Sequence, residues 1–202
     1  MNKPLLLLLL VCLAACSKGG GDDMDFYPSI LTEFAMVRTN DAGTMVELTR
    51  DNNSTYTLTN PQEGYDKNVS YRAVCGFVPD GQRATLYHLT GAYLLSDSTS
   101  LAYEPDATSA ISVWQSGHYI NMHLSTLTQG GRQYWGYLVG ETSGRTTHLC
   151  LHHRQNGDPL SYSQAVYASI STKDLEFIPS GDSIALHIKT FKGERVWKFK
   201  KP

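Results

Sequence analysis

The segments VSYRAVCGFV (69–78), PDGQ (79–82) and ATLYHL (84–89) predict two β-strands joined by a tight turn. β-Branched and aromatic residues fill both runs, and aspartate followed by glycine is typical of a turn that reverses the chain. Three shorter runs precede them: FAMVR (34–38), MVEL (45–48) and YTL (56–58). Five short strands within about sixty residues favour a closed barrel over an open sheet, because closure leaves no unpaired edge.

The second half of the chain repeats this pattern of short strands and turns. Runs such as YINMHLS (119–125), WGYLV (135–139), HLCLH (148–152) and IALHI (184–188) carry apolar residues at alternate positions, with glycine-, asparagine- and proline-containing turns between them. No run keeps a helical period for three turns. We therefore predict an all-β chain, with a small OB-like barrel at 27–95, a linker at 96–109 and an antiparallel β-sandwich at 110–202.

The N-terminal residues have the pattern of a lipoprotein signal. Lys3 precedes an apolar run that is too short to span a hydrocarbon core of about 30 Å, and LAAC (13–16) matches the bacterial lipobox. We predict a signal peptide at 1–15, lipidation of Cys16 by palmitate-type chains and a flexible tether at 16–26. The protein is then expected in the cell envelope, lipid-anchored to the outer membrane on its periplasmic or surface-exposed face. A cleaved secretory peptide with an incidental cysteine is the alternative.

Charge and cysteine content narrow the choice of partner and compartment. The chain has 17 Lys and Arg against 19 Asp and Glu, for a net charge of −2. We expect no nucleic acid partner, because backbone phosphates select a strongly basic surface. Cys75 and Cys150 fall in separate predicted domains. Two buried free thiols are favoured over a bridge, although an extracytoplasmic location permits a disulfide.

Several segments together resemble a known family. The small N-terminal β domain, WQSGHYINMHL (114–124), HLCLHHRQNGD (148–158) and the lipobox are similar to the NigD-like lipoproteins of the Bacteroidetes. The resemblance implies an OB-type barrel followed by a β-sandwich, and a role of bacteriocin-immunity type at the cell envelope. The family has no catalytic residues that could be transferred to this chain.

The sequence offers little support for catalysis. No Gly-x-Ser-x-Gly elbow occurs, and most acidic residues lie in predicted turns. His148 and His152 would lie on the same side of one strand but about 13 Å apart, too far to share a metal ion. A site would need a further ligand such as His123 from a neighbouring strand. We therefore predict no catalytic residue, no metal site, no cofactor and no enzymatic activity.

Aromatic residues are the main candidates for ligand contact. Trp114, Trp135, Tyr137 and His123 are predicted as possible contacts in the sandwich, where one sheet face should be core and the other could bind a sugar or a protein. Aromatic side chains on the barrel strands are expected to fill its core rather than to bind a ligand; they are Tyr56, Tyr71, Phe77 and Tyr87. The leading hypothesis is a non-catalytic binding protein with a protein partner, and the alternative is a surface lipoprotein that binds a glycan or a peptide.

Overall fold

The computed structural model describes residues 29–99 and 104–202. The predicted signal peptide, the predicted lipidation site Cys16 and the predicted tether lie outside these residues. Strands dominate both described ranges, which confirms the all-β prediction. No helix in them is long and apolar enough to cross a membrane.

Thirteen strands form within the described residues. In chain order they are β1 Leu31–Thr39, β2 Met45–Arg50, β3 Thr55–Gln62, β4 Ser70–Asp80, β5 Arg83–Gly91, β6 Tyr93–Leu94, β7 Ser109–Ser116, β8 Tyr119–Thr128, β9 Tyr134–Ser143, β10 Thr146–Arg154, β11 Tyr162–Ser171, β12 Ser183–Thr190 and β13 Gly193–Lys200.

The first five strands close into a barrel in the order β1-β2-β3-β5-β4, with β4 paired to β1. The β1–β4 ladder runs without a break from Leu31 opposite Phe77 to Arg38 opposite Ser70. Ala73, Cys75 and Phe77 alternate along β4 and are fully buried in the barrel core. Tyr71 shares this face of the strand with Phe77, as the two-residue period of a strand requires, and it packs against the same core.

A tight turn connects β1 to β2. The amide of Gly43 donates to the carbonyl oxygen of Asn40 at 3.1 Å, and the Asn40 side chain accepts from the amides of Ala42 and Thr44. Gly43 has a φ of 76°, and a Cβ there would lie 2.3 Å from the carbonyl oxygen of Tyr65. Glycine is required at this position by both the backbone conformation and the space.

The remaining strands form two four-stranded sheets that pack as a sandwich, β13-β12-β10-β9 against β6-β11-β8-β7. This confirms the predicted barrel followed by a sandwich. Most pairs are antiparallel, but β10 pairs with β12 and β11 pairs with β6 in parallel. The core between the sheets is aliphatic, with fully buried Ile120, Met122, Leu149 and Leu186 among its members.

The chain enters the sandwich before residue 96. Tyr93 and Leu94 already pair with β11, and Leu95 is part of the sandwich core. Within the segment that the sequence predicts as a linker, Ser98 is buried and its hydroxyl donates to the Tyr137 carbonyl oxygen at 2.9 Å. Small polar residues in this segment form hydrogen bonds with the backbone of strand β9, in addition to joining the two domains.

The barrel aromatics and the two cysteines of the folded domains differ in burial. Phe77 is buried in the barrel core, Tyr56 and Tyr71 pack against that core, and Tyr87 is exposed. Cys75 and Cys150 are both free, as predicted. Burial raises the pKa of Cys75 to about 12, whereas Cys150 is only partly buried, which corrects the expectation of two buried thiols.

Candidate functional site: clefts along the domain seam

A buried arginine joins the barrel to the sandwich. Arg72, on the outer face of β4, donates to both carboxylate oxygens of Asp51 at 2.6 and 2.9 Å. Its Nε donates to Ser169 Oγ at 3.0 Å, and its Nη2 also donates to Asn121 Oδ1 at 2.8 Å. The guanidinium lies over the ring of Tyr119, 3.9 Å from the ring centroid. One side chain thus binds partners from both domains.

The same contact is closed to water and tightly fitted. No part of the Arg72 side chain is exposed, and Asn121 also donates to Asp51 at 2.9 Å. A Cβ at Gly117, in the turn between β7 and β8, would lie 1.9 Å from the Asp51 carbonyl oxygen. Removing one partner of a buried ion pair strongly destabilises the folded protein, because the remaining charge stays buried and unpaired. The network therefore fixes β4 against β8 and β11.

A cleft of about 650 Å³ opens on one side of this network, between the barrel and the sandwich. We call it the edge cleft. Tyr65, Tyr71, Leu89 and Thr90 line its barrel side, and the sandwich side is formed by β6, the start of β9 and residues 164–167 of β11. Among its described lining residues Arg72 is the only charged one, and its charge is already neutralised by Asp51. The edge cleft therefore offers aromatic, hydroxyl and amide groups to a ligand.

Stacked rings hold the sandwich wall of the edge cleft in place. Tyr93 stacks on Trp135 with ring centroids 6.2 Å apart, and Trp135 stacks on His153 at 4.1 Å. His153 Nε2 lies 2.9 Å from Gln133 Oε1, and burial lowers the pKa of His153, so its imidazole is neutral at neutral pH. Tyr93 is 51% exposed while Trp135 is only 7% exposed. Tyr93 thus presents the accessible ring of a fixed stack.

The loop that carries Gln133 is anchored by a carboxylate. Asp158 accepts hydrogen bonds from the Thr128 hydroxyl, the Gln129 and Gly131 amides at 3.0 and 3.1 Å, and Gln133 Nε2 at 2.8 Å. These donors, led by the Thr128 hydroxyl, lower the pKa of Asp158 to about 2. Asp158 is therefore ionised at neutral pH and positions the cleft wall rather than acting as an acid.

A second cleft, of about 510 Å³, lies on the other side of the Arg72 network, again between the barrel and the sandwich. We call it the Trp114 cleft. Phe34 meets Trp114 edge to face at 5.4 Å between ring centroids, and His123 stacks on Tyr167 at 4.7 Å. Arg50 and Glu33, which form an ion pair at 2.6 Å, also line this cleft. This cleft is charged where the edge cleft is neutral.

The chain shares its fold with a NigD-like immunity protein from Bacteroides caccae. The two are 20% identical with a TM-score of 0.64, and the match covers 88% of this chain and all of the other. A putative toxin-related protein from Parabacteroides distasonis is 16% identical over 85% of this chain and 93% of its own, with a TM-score of 0.65. A putative lipoprotein from Bacteroides fragilis is 11% identical over 85% of this chain and 99% of its own, with a TM-score of 0.58.

At these identities the comparisons establish the fold, and the predicted resemblance to NigD-like proteins is confirmed at that level. No protein-family model matches the sequence. No functionally curated protein matches it either.

The four predicted contact residues are divided between three places. Trp114, 38% exposed, and His123 line the Trp114 cleft, whereas Trp135 lines the edge cleft. Tyr137 is 4% exposed in the sandwich core and reaches neither cleft, and burial raises its pKa. Sequence reasoning missed Arg72. An arginine directly before the apolar run AVCGFV, within one strand, was the available signal that the outer face of β4 is covered.

The histidines do not converge on a metal site. His148 Nδ1 lies 2.8 Å from His187 Nε2, and His187 Nδ1 lies 3.2 Å from Glu194 on the outer face of the sandwich. His123 is instead stacked on Tyr167 at the seam. Across residues 29–99 and 104–202, no group of three or more His, Cys, Asp or Glu side chains is arranged to hold a metal ion.

Proposed function

We propose that the protein is a lipid-anchored, non-catalytic binding protein of the cell envelope, of bacteriocin-immunity type, and that it recognises a protein partner in the edge cleft. The observation that carries this proposal is the neutral, aromatic-lined cleft between two domains fixed to each other by a buried ion pair. Ligand sites are commonly concave, apolar with a few polar groups, and placed at domain interfaces.

The chemistry of the cleft supports binding over catalysis. Its carboxylate neighbour Asp158 is held by four donors, and its histidine neighbour His153 is stacked beneath Trp135. General acid–base catalysis needs a titratable group within hydrogen-bond reach of the substrate and with a pKa near the working pH. Tyr93 and the exposed amide of Gln164 provide recognition without such a group.

The proposed location in the cell envelope rests on Leu13-Ala14-Ala15-Cys16 and on the similarity to a putative lipoprotein from Bacteroides fragilis. Replacing Cys16 by serine tests it directly. The Cys16→Ser protein is expected to lose incorporation of labelled palmitate and to leave the membrane fraction, because a lipidated cysteine is the anchor. Unchanged labelling and sedimentation would contradict the lipid anchor.

Site-specific photocrosslinking tests recognition in the edge cleft. A photoreactive phenylalanine analogue at Tyr93, an exposed residue of the cleft wall, is expected to crosslink to a discrete envelope or secreted protein in living cells. The same analogue at Phe191, an exposed aromatic in the turn after β12, is the control. Products from both positions alike, or from neither, would remove the support for the cleft as the recognition site.

The immunity role has its own test. Deletion of the gene is expected to sensitise the cell to a bacteriocin present in culture supernatants of competing strains. The intact chain should restore resistance, and the Tyr93→Ala chain should not. Resistance that is unaffected by deletion would reject the immunity role while leaving other protein partners open to the crosslinking experiment.

A glycan is the second candidate ligand because Trp114 is partly exposed and forms one wall of the Trp114 cleft. Sugars stack on accessible aromatic faces. Retention on polysaccharide gels that is lost in Trp114→Ala, and kept in Tyr93→Ala, would favour this alternative and its location.

A further inference from the structure

One strand of the sandwich has an unpaired edge inside the edge cleft. Strand β11 pairs with β8 over its whole length, from Tyr162 opposite Thr128 to Ser171 opposite Tyr119, with no break in register. On its other side β6 pairs only with Ala168 and Ser169. Among the described residues, nothing pairs with that side of β11 between Tyr162 and Val166.

The direction of the free backbone groups follows from the β6 pairing. Leu95 donates its amide to the Ser169 carbonyl oxygen at 2.8 Å, so the backbone groups of Ser169 point towards β6. Backbone direction alternates along a strand, and therefore the amide and carbonyl of Ala165 and Ser163 point to the same side. These groups form a row that an added strand could bond.

The other sandwich edges are each protected by a recognised device. β13 has charged residues at four of its eight positions, and the register of β7 shifts between Ala110 and Ser112. The β9 edge is covered at Tyr137 by backbone bonds to Ser96 and Ser98. Charges, irregularities and covering segments prevent strands from pairing with other chains. The free part of β11, YSQAV, has neither a charge nor a proline.

The residues around this edge leave room for a single added strand. The edge residues Gln164, Ala165 and Val166 line the edge cleft, together with the barrel residues Tyr65 and Tyr71 and with Gln133 and Trp135 of the sandwich. Five residues of strand span about 17 Å. Side chains of an extended segment alternate, so one set would face the barrel tyrosines and the other would face Trp135. Since Arg72, the cleft's charged residue, is already paired, these side chains would be uncharged.

We propose that the edge cleft binds an extended peptide segment of a partner protein, about five residues long with uncharged side chains, as an added strand on β11. The inference rests on the proposed function, since it names the partner chemistry for the same cleft. Main-chain hydrogen bonds to Ala165 and Ser163 would give affinity, and the two cleft walls would give side-chain specificity, as in other cases of strand addition.

The test begins with a displayed library of random eight-residue peptides, selected on the full-length chain in detergent micelles. Peptides with uncharged alternating side chains are expected to be enriched. A selected peptide should then bind Ala165→Pro about tenfold or more weakly, because proline removes one donor from the free edge and proline is tolerated at such edges. Val196→Lys on the already charged β13 is the matched control and should bind normally.

Two N-methylated forms of the selected peptide keep the test valid if Ala165→Pro folds poorly. Methylation of the amides on one edge of the peptide should abolish binding, while methylation on the opposite edge should leave it unchanged. Failure to enrich any peptide, or equal binding by both methylated forms, would overturn strand addition. If Tyr93 still crosslinks to a partner in that case, the cleft remains the recognition site and only the strand-addition inference fails. Concentration-dependent dimerisation lost in Ala165→Lys would instead identify a second copy as the occupant and overturn the peptide.

Discussion

The free part of β11 and the outer edge of β13 expose the same backbone chemistry in two opposite settings. β13 borders the open surface and carries Glu194, Arg195, Lys198 and Lys200 along eight residues. The free part of β11 carries no charge, and its residues Gln164, Ala165 and Val166 line the cleft between the sandwich and the barrel. Charge therefore protects β13 from pairing with other chains, whereas the barrel beside β11 leaves room for one added strand but not for a second sheet.

Loss of the buried Arg72–Asp51 ion pair, which fixes the barrel against the sandwich, should have the largest effect on stability. Arg72→Ala is expected to lower the free energy of unfolding by about 3–5 kcal/mol, because Asp51 would remain buried without its partner. On β13, Arg195 lies over Trp197 at 4.7 Å, and Arg195→Ala should cost about 1 kcal/mol or less. Urea unfolding followed by tryptophan fluorescence measures both. Equal losses in the two variants would show that Arg72 does not hold the seam.

A pair of glycine variants separates the stability cost of a clash between the two domains from the cost of a strained backbone conformation. Gly117 and Gly144 have similar φ values, 52° and 59°, but a Cβ at Gly117 would meet Asp51 while a Cβ at Gly144 meets nothing within 4 Å. Both alanine variants should lose about 1 kcal/mol for the left-handed conformation, and Gly117→Ala should lose more through the clash. Thermal unfolding that is the same for both would contradict the tight seam.

The wall of the edge cleft should be sensitive to acid through Asp158. Its pKa in the folded protein is about 2, below the ordinary value of 3.8, so the carboxylate stabilises the fold above about pH 4. This contribution is lost as the pH falls from about 4 to about 2. The stability difference between wild type and Asp158→Asn should therefore be present at neutral pH and disappear over that window. A difference independent of pH would show that the charge of Asp158 does not matter.

The smallest effect on stability is expected at the two edges themselves. Ala165→Lys and Val196→Lys place one new charge on exposed positions of β11 and β13, and each should change the free energy of unfolding by about 0.5 kcal/mol or less. Only Ala165→Lys should weaken binding of a selected peptide, since only that lysine lies on the free edge in the cleft. Equal effects on binding would remove the distinction between the edges.

Sequence patterns were sufficient for the fold class and for the interior of each domain. Ala73, Cys75 and Phe77 alternate in the sequence and share the barrel core, because burial of one face imposes a period of two. The resemblance to NigD-like proteins led to the same order of domains. Trp135 and Tyr137 also share a strand face, but alternation did not show whether that face is core: both are predicted as possible ligand contacts, and both are largely buried in the structure.

The clefts could not be predicted because they depend on how two folded domains meet. Arg72 lies on β4 and Asp51 in the turn after β2, and their partners Asn121 and Ser169 lie on two sandwich strands. Periodicity predicts which face of its own strand a residue lies on. It does not predict which strand packs against that face, and no local sequence pattern shows which residues of the two domains meet. The free edge of β11 likewise depends on the length of β6, which is only two residues.

Hydrogen exchange at the Ala165 amide tests the central claim most directly. In the free protein this amide should exchange rapidly, since it points to the unpaired side of β11, whereas the Val166 amide should be protected by its pairing with β8. Addition of a selected peptide is predicted to protect the amides of Ala165 and Ser163 and to leave β13 unchanged. A bound peptide that shifts the Trp135 wall while Ala165 continues to exchange rapidly would contradict strand addition.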